Sequence, residues 1–301
     1  MAQSPMLASS STQIGLLRHP HAWRRVRRLV GESIAHVVLF SVGIVMMGPF
    51  VWLISGSVKD KSEVFTWPPV WIPSTIHFEN YYQAMTMLPF HLYFRNTLVI
   101  TIWGVAGCVI TSSLVGFGFA RLRFPGRDFL FVLLLSTMML PWIVTMIPRF
   151  IFFKTLGWVD TLLPLIVPEW FGGSPFFIFL VRQFFMTIPY ELDEAARVDG
   201  ASNWRIWWQI VVPLSGPVVA TVAIFSFINN WNDFMGPLIY LNSMDRRTVA
   251  LGLANFKGLY SAEWNLMMAA STVTVIPILV LFFFAQRYFM KGIVMTGMGG
   301  R

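Results

Sequence analysis

Charge and sulfur are scarce in this chain. Only 12% of its 301 residues are charged, about half the share of an ordinary soluble domain. The single cysteine, Cys108, excludes an intrachain disulfide and leaves the redox compartment open. Neither a G-x-x-x-x-G-K-[ST] phosphate loop nor any Gly-Lys dipeptide occurs, so the chain offers no such nucleotide site of its own. His19, His21, His36, His77 and His91 form no metal-spaced pair within an apolar run. No pairing of nucleophile and base is evident either, so no catalytic or metal-binding residue is assigned. Alternating apolar strands of the outer-membrane barrel type are absent.

Apolar residues fill the space left by charge: 56% of the chain is hydrophobic. A spanning helix needs about 20 mostly apolar residues. Six runs qualify, at 34–56, 96–120, 129–147, 162–186, 209–240 and 266–286, which predicts an all-α protein with six transmembrane helices. Fourteen of the 22 Lys and Arg residues fall in 1–33, 121–128, 182–208 and 287–301, the segments that six spans place on one side. The positive-inside rule makes that side, and both termini, cytoplasmic. Because the net charge of +8 is spread over these loops, it does not point to nucleic acid. The run after "RRVRR" is long enough to span and no small-residue cleavage site follows it, so the first helix is expected to be retained. Residues 1–33 are expected to be a cytoplasmic tail, flexible over the first 20, and 291–301 a second tail in a segment too Gly-rich for another helix.

Within the runs, Gly104, Cys108, Ser112, Gly116 and Ala120 recur every four residues. Small side chains along one face let another helix approach closely, which predicts an interior helix. Pro141 interrupts the third run, and Pro164, Pro168, Gly172, Gly173 and Pro175 break the fourth. Broken helices are tolerated where protein or a wet cavity satisfies the freed backbone. The long loop between the first two runs holds prolines at 68, 69, 73 and 89, a short helix over 79–88, and Trp67, Trp71, Tyr81 and Tyr82 as interfacial anchors.

Glu169, beside Trp170, is a carboxylate inside a run. Two readings stand for it, a solute-pathway residue or a solvated group at the interface. Asn229, Asn230, Trp231, Asn232 and Asp233 mix hydrogen-bonding groups with a flat apolar face. That mixture suits a sugar, and equally a helix end meeting water. Pro277 marks a kink in the last run.

The acids are densest in "ELDEAARVDGAS", residues 191–202. Thr187 is expected to cap a helix whose first turn carries Glu191, Asp193 and Glu194, with Gly200 ending it and Ser202 capping the next. Leu192, Ala195, Ala196 and Asp199 fall near one side of that helix. The segment reads either as a docking element or as an amphipathic connector.

Glu194, Ala195 and Ala196, then Gly200, then Ile210 and Pro213 match the EAA motif of the membrane subunits of ABC importers, with Val212 where leucine is usual. The flanks "RQFFMTIPYELDEAARVDGAS" and "WNDF" resemble the second permease subunit of carbohydrate importers of the maltose-transporter type, from about residue 34 to the end. The resemblance implies a type I ABC importer permease fold in a bacterial or archaeal inner membrane. It implies that 187–208 holds a coupling helix, with Glu194, Ala195, Ala196, Asp199 and Gly200 meeting a cytoplasmic ATPase. The implied partners are a second permease subunit, two ATPase subunits that bind ATP and Mg, an extracytoplasmic solute-binding protein, and a sugar. The tail 291–301 reaches the ATPase interface in this picture. A rival class, an ion-coupled secondary transporter, calls for more intramembrane ionisable residues and an internal repeat than are visible here.

Overall fold

The computed structural model describes residues 20–257 and 263–297, so the expected flexible tail, over 1–19, and the 298–301 end of the second tail lie outside the described residues. The chain divides into two units, Met1–Trp52 and Leu53–Arg301. The first consists, where described, of most of α1 (Pro20–Ser57), on which Arg28 and Glu32 pair one turn apart at 2.8 Å. Helix thus begins fourteen residues before the expected span at 34, because nothing between Pro20 and Glu32 breaks it.

In the second unit, α2 (Glu79–Met87) lies in the long loop, as expected. The following helices are α3 (Phe90–Arg121), α4 (Arg127–Ser136), α5 (Trp142–Thr155), α6 (Leu163–Trp170), α7 (Pro175–Thr187) and α8 (Glu191–Val198). Then come α9 (Asn203–Ile206), a π-helical turn (Trp207–Val211), α10 (Val212–Leu214), α11 (Gly216–Asn232), α12 (Met235–Tyr240), α13 (Val249–Ala254) and α14 (Trp264–Gly297).

Four stretches are long and apolar enough to cross a membrane: Arg28–Ser57, Phe90–Arg121, Leu163–Thr187 and Trp264–Gln286. Two bent pairs bring the number to six if each is one span. One is the third run, which turns by 98° between Met139 and Trp142, where Pro141 has no N–H to continue the helix. The other falls in the fifth run, 209–240, which is not one continuous helix. Residues up to Leu214 continue from Asn203, and the chain bends by 83° before α11. Pro217 in the first turn of α11 suits a helix start and not a helix interior. The last helix also departs from expectation, since α14 continues through Gly297. Gly292 and Gly297 lower helix propensity without forbidding it.

Helix α3 is the interior element, packing against α6, α7 and α11. Its small residues explain why. A Cβ on Gly104 would stand 2.9 Å from Oδ1 of Asn230, and one on Gly116 3.0 Å from Val181. Cys108 and Ser112 are fully buried. One core gathers Phe117, Phe177, Phe185, Ile206, Trp207 and Val222 around the C-terminal half of α3. A second joins α2, α3, α13 and α14 through Ala84, Phe90, Tyr93, Val249 and Leu266. Polar side chains tie the loops to these cores: Asn96 Nδ2 donates to the carbonyls of Asp245 (2.8 Å) and Arg247 (3.1 Å). Asp160 accepts from the backbone N–H groups of Asn242 and Ser243, both at 2.9 Å.

Candidate functional site

Two places concentrate the residues singled out by sequence. The first is α8. It starts without a side-chain cap at Tyr190. The Thr187 hydroxyl donates instead to the Phe184 carbonyl at 2.7 Å, because α7 runs through Thr187 and Ile188 to Tyr190 intervene before α8. The other two local expectations stand. Gly200 takes φ +79°, the left-handed conformation open to glycine, and Ser202 Oγ accepts from Arg205 N at 3.4 Å.

Successive residues of a helix point about 100° apart, so the three acids of the first turn have different fates. Glu191 and Glu194 are exposed, and Asp193 is fully buried. Its carboxylate lies 3.5 Å from Nε of Arg121, the buried last residue of α3. Arg121 also donates from Nη2 to the Ile188 carbonyl at 2.8 Å. The guanidinium carbons of Arg121 and Arg197 each lie 5.6 Å from the Tyr190 ring, within cation–π range. Burial pushes the Asp193 carboxyl above the usual carboxylate range, and Arg121 and Arg197 act against that shift. Ala196 turns toward the core, whereas Leu192, Glu194, Ala195, Val198, Asp199 and Gly200 are exposed. α8 is therefore anchored on one side and open on the other.

The second place is a cavity of about 420 Å³ between α5, α6, α11 and α12. Glu169, Asn230, Asp233 and Arg149 line it, with Trp142 and Tyr240 among the apolar groups. Glu169 is fixed to the interior helix, since its carbonyl accepts from Thr111 Oγ1 at 3.1 Å. Asn230 donates to the Ser226 carbonyl at 2.8 Å. Asp233 Oδ1 accepts from Gly236 N at 3.1 Å, so it is tied to the first turn of α12 as well as lining the cavity.

A family model described as "Binding-protein-dependent transport system inner membrane component" matches residues 109–294. The chain belongs to this family. The permease is 33% identical over 262 residues to the arabinooligosaccharides transport system permease protein AraQ of Halalkalibacterium halodurans, covering 86% of this chain and 93% of that one. It is 30% identical over 267 residues to the lactose transport system permease protein LacG of Rhizobium radiobacter, covering 89% and 95%. Its fold matches a chain in the crystal structure of a bacterial ABC transporter involved in the import of the acidic polysaccharide alginate. That match has a TM-score of 0.77 at 24% identity over 88% of this chain and 98% of the other. The chain is thus a multi-pass ABC transporter permease of an inner-membrane family, akin to transport subunits.

The permease brings together only some of the residues expected along a solute path. Glu169, Asn230 and Asp233 share the cavity. Trp231 lies in the core, 2% exposed, stacking on Phe227 at 5.5 Å and donating from Nε1 to the Thr274 carbonyl at 3.2 Å. Trp170 packs on α3 at Gly107. Asn229 and Asn232 are exposed on α11 and outside the lining. Arg149 also lines the cavity, although it lies just beyond the third apolar run, 129–147. An arginine two positions further, followed by "FIFF", is the kind of ionisable residue that marks a pathway.

Proposed function

We propose that the permease is the membrane subunit of an ABC importer that moves a sugar, most simply a di- or oligosaccharide, delivered by an extracytoplasmic binding protein. In this reading the chain makes six spans with both termini cytoplasmic and pairs with a second permease subunit. Two separate ATPase subunits, which bind ATP and Mg, drive it through α8. The observation that carries the proposal is the two-sidedness of α8: Asp193 and Ala196 are held by the permease's own core, while Glu194, Ala195 and Asp199 face outward. A helix resting passively on a bilayer has no need of a buried carboxylate.

The sugar assignment draws on the relatives named for arabinooligosaccharides and lactose and on the cavity. Its volume of about 420 Å³ falls within the range of small-molecule sites, and its carboxylates, amide and aromatic rings suit hydroxyl-rich rings. ATP-driven closure of the partner subunits would move α8 and reopen the cavity toward the binding protein, each state being favoured by its own contacts.

Reconstituted vesicles test the reading. The permease, co-expressed with its second subunit and ATPases and supplied with binding protein, is expected to take up labelled disaccharide only with ATP. Uptake driven by a proton gradient without ATP would instead make it an ion-coupled carrier.

A further inference from the structure

The pairing of Arg121 with Asp193 joins α3 to α8 through two buried charges. Their side chains are 3% and 0% exposed. Neither carboxylate oxygen of Asp193, nor Nε of Arg121, has a hydrogen-bond partner among the described residues. Arg121 is thus the first charge compensating Asp193, with Arg197 adding to it. Separating them removes the main charge compensation of two buried groups, which is costlier than keeping an imperfect pair.

The same guanidinium closes a triangle. One nitrogen serves the Ile188 carbonyl just after α7, another faces Asp193 in α8, and the stem belongs to the end of α3. About 15 Å back along α3, at 1.5 Å per residue, Thr111 bonds the backbone of Glu169 in the cavity wall. About one and two turns further back, Gly107 and Gly104 bear on Trp170 and Asn230. A rigid rod thus runs from the buried face of α8 to the lining of the cavity.

We propose that the Arg121–Asp193 pair is a positioning lock that makes α8 and α3 move as one body, so that displacement of α8 reaches the cavity through α3. The proposal rests on the reading of α8 as the ATPase-driven helix. It assigns the role to a buried acid and its partner on α3, distinct from the exposed residues that meet the ATPase. A pair chosen for register and not for stability is the best-attested use of buried charges.

The test uses the reconstituted full complex, reading solute moved per ATP hydrolysed. Asp193→Asn keeps the volume and removes the charge. It is expected to assemble with its partners and hydrolyse ATP while the transport ratio falls about five-fold or more, the range of ordinary coupling between sites. Asp193→Glu restores the charge and is expected to recover part of the ratio. A normal ratio in Asp193→Asn, within a complex whose wild type shows ATP-dependent uptake, overturns the lock and leaves the importer reading intact. Absence of ATP-dependent uptake in the wild type overturns both.

A second variant guards against misfolding. In a Cys108→Ser background, Arg121→Cys with Asp193→Cys is joined by a short bifunctional thiol reagent. Restoration of the ratio on cross-linking is the expected result. Loss of transport on cross-linking would mean that the two helices must part during the cycle, and the lock would be wrong.

Discussion

A Cβ on Gly107 would stand 2.6 Å from Cδ1 of Trp170 and 2.8 Å from its Cγ. The indole of α6 therefore lies directly on the backbone of α3, and the ring's root, not only its far edge, blocks any side chain there. Gly107→Ala must push Trp170 or α6 away, and overpacking of this kind costs about 1–3 kcal/mol. A lowered melting temperature of the detergent-solubilised permease is expected, with the larger Gly107→Leu failing to assemble. An Ala variant as stable as wild type would show that the indole has room to move.

Cavity and core residues are expected to separate cleanly. Trp231→Ala removes a buried indole and its bond to the Thr274 carbonyl, a loss of about 3–5 kcal/mol, so protein yield and melting temperature should fall. Glu169→Gln and Arg149→Met change groups that line the cavity. They are expected to alter the concentration dependence of uptake at near-normal yield. Solute-dependent uptake measured beside membrane yield distinguishes the two classes, and a yield defect alone in Glu169→Gln would make that carboxylate structural.

What the sequence could reveal followed from which physical signal each feature leaves. The interior position of α3 was legible because small residues at every fourth position leave a visible stripe. Gly107 was not, because strict spacing by four passes over the residue three positions on from Gly104, which a helix places on much the same face. Apolar runs marked where spans could lie but carried no direction, so the 83° bend before α11 stayed hidden in a single run. Gly200 and Ser202 are local devices, and local rules found them. The burial of Asp193 was illegible because Glu191 and Glu194 look the same in sequence, and only tertiary contact with Arg121 distinguishes the buried acid. Trp231 was open to two readings, because a ring flanked by amides shows nothing of its burial in sequence.

His77 gives the loop before α2 a pH dependence. Its Nδ1 lies 2.6 Å from Glu79 Oε1, and its backbone N–H donates to the Val58 carbonyl at 2.9 Å. The bond to Glu79 raises the imidazole above its ordinary value, with Asp60 and Glu63 adding to the effect and desolvation opposing it. A group whose folded pKa is raised contributes stability that is fully present below its unfolded pKa and is lost as pH rises through the folded value. The loop should therefore be protected from proteolysis below about pH 6.5, the unfolded value, and lose protection as pH climbs past the raised one. His77→Gln should flatten that dependence between acidic and alkaline buffers.

Gly200 and Glu194 test the open side of α8 by two different routes. No neighbour among the described residues lies within 4 Å of a Cβ at Gly200, so within this chain its φ of +79° is what limits substitution. Valine disfavours that conformation by about 1–2 kcal/mol or more, whereas asparagine visits it readily. Gly200→Val should redirect the chain after α8 and abolish transport, and Gly200→Asn should retain most of it. Glu194 is exposed, so Glu194→Lys should leave stability within about 0.5 kcal/mol while weakening recovery of the ATPase subunits with the tagged permease. Equal transport in the valine and asparagine variants would remove the conformational argument for Gly200. Undiminished ATPase recovery with Glu194→Lys would move the contact elsewhere on α8, toward Ala195 or Asp199.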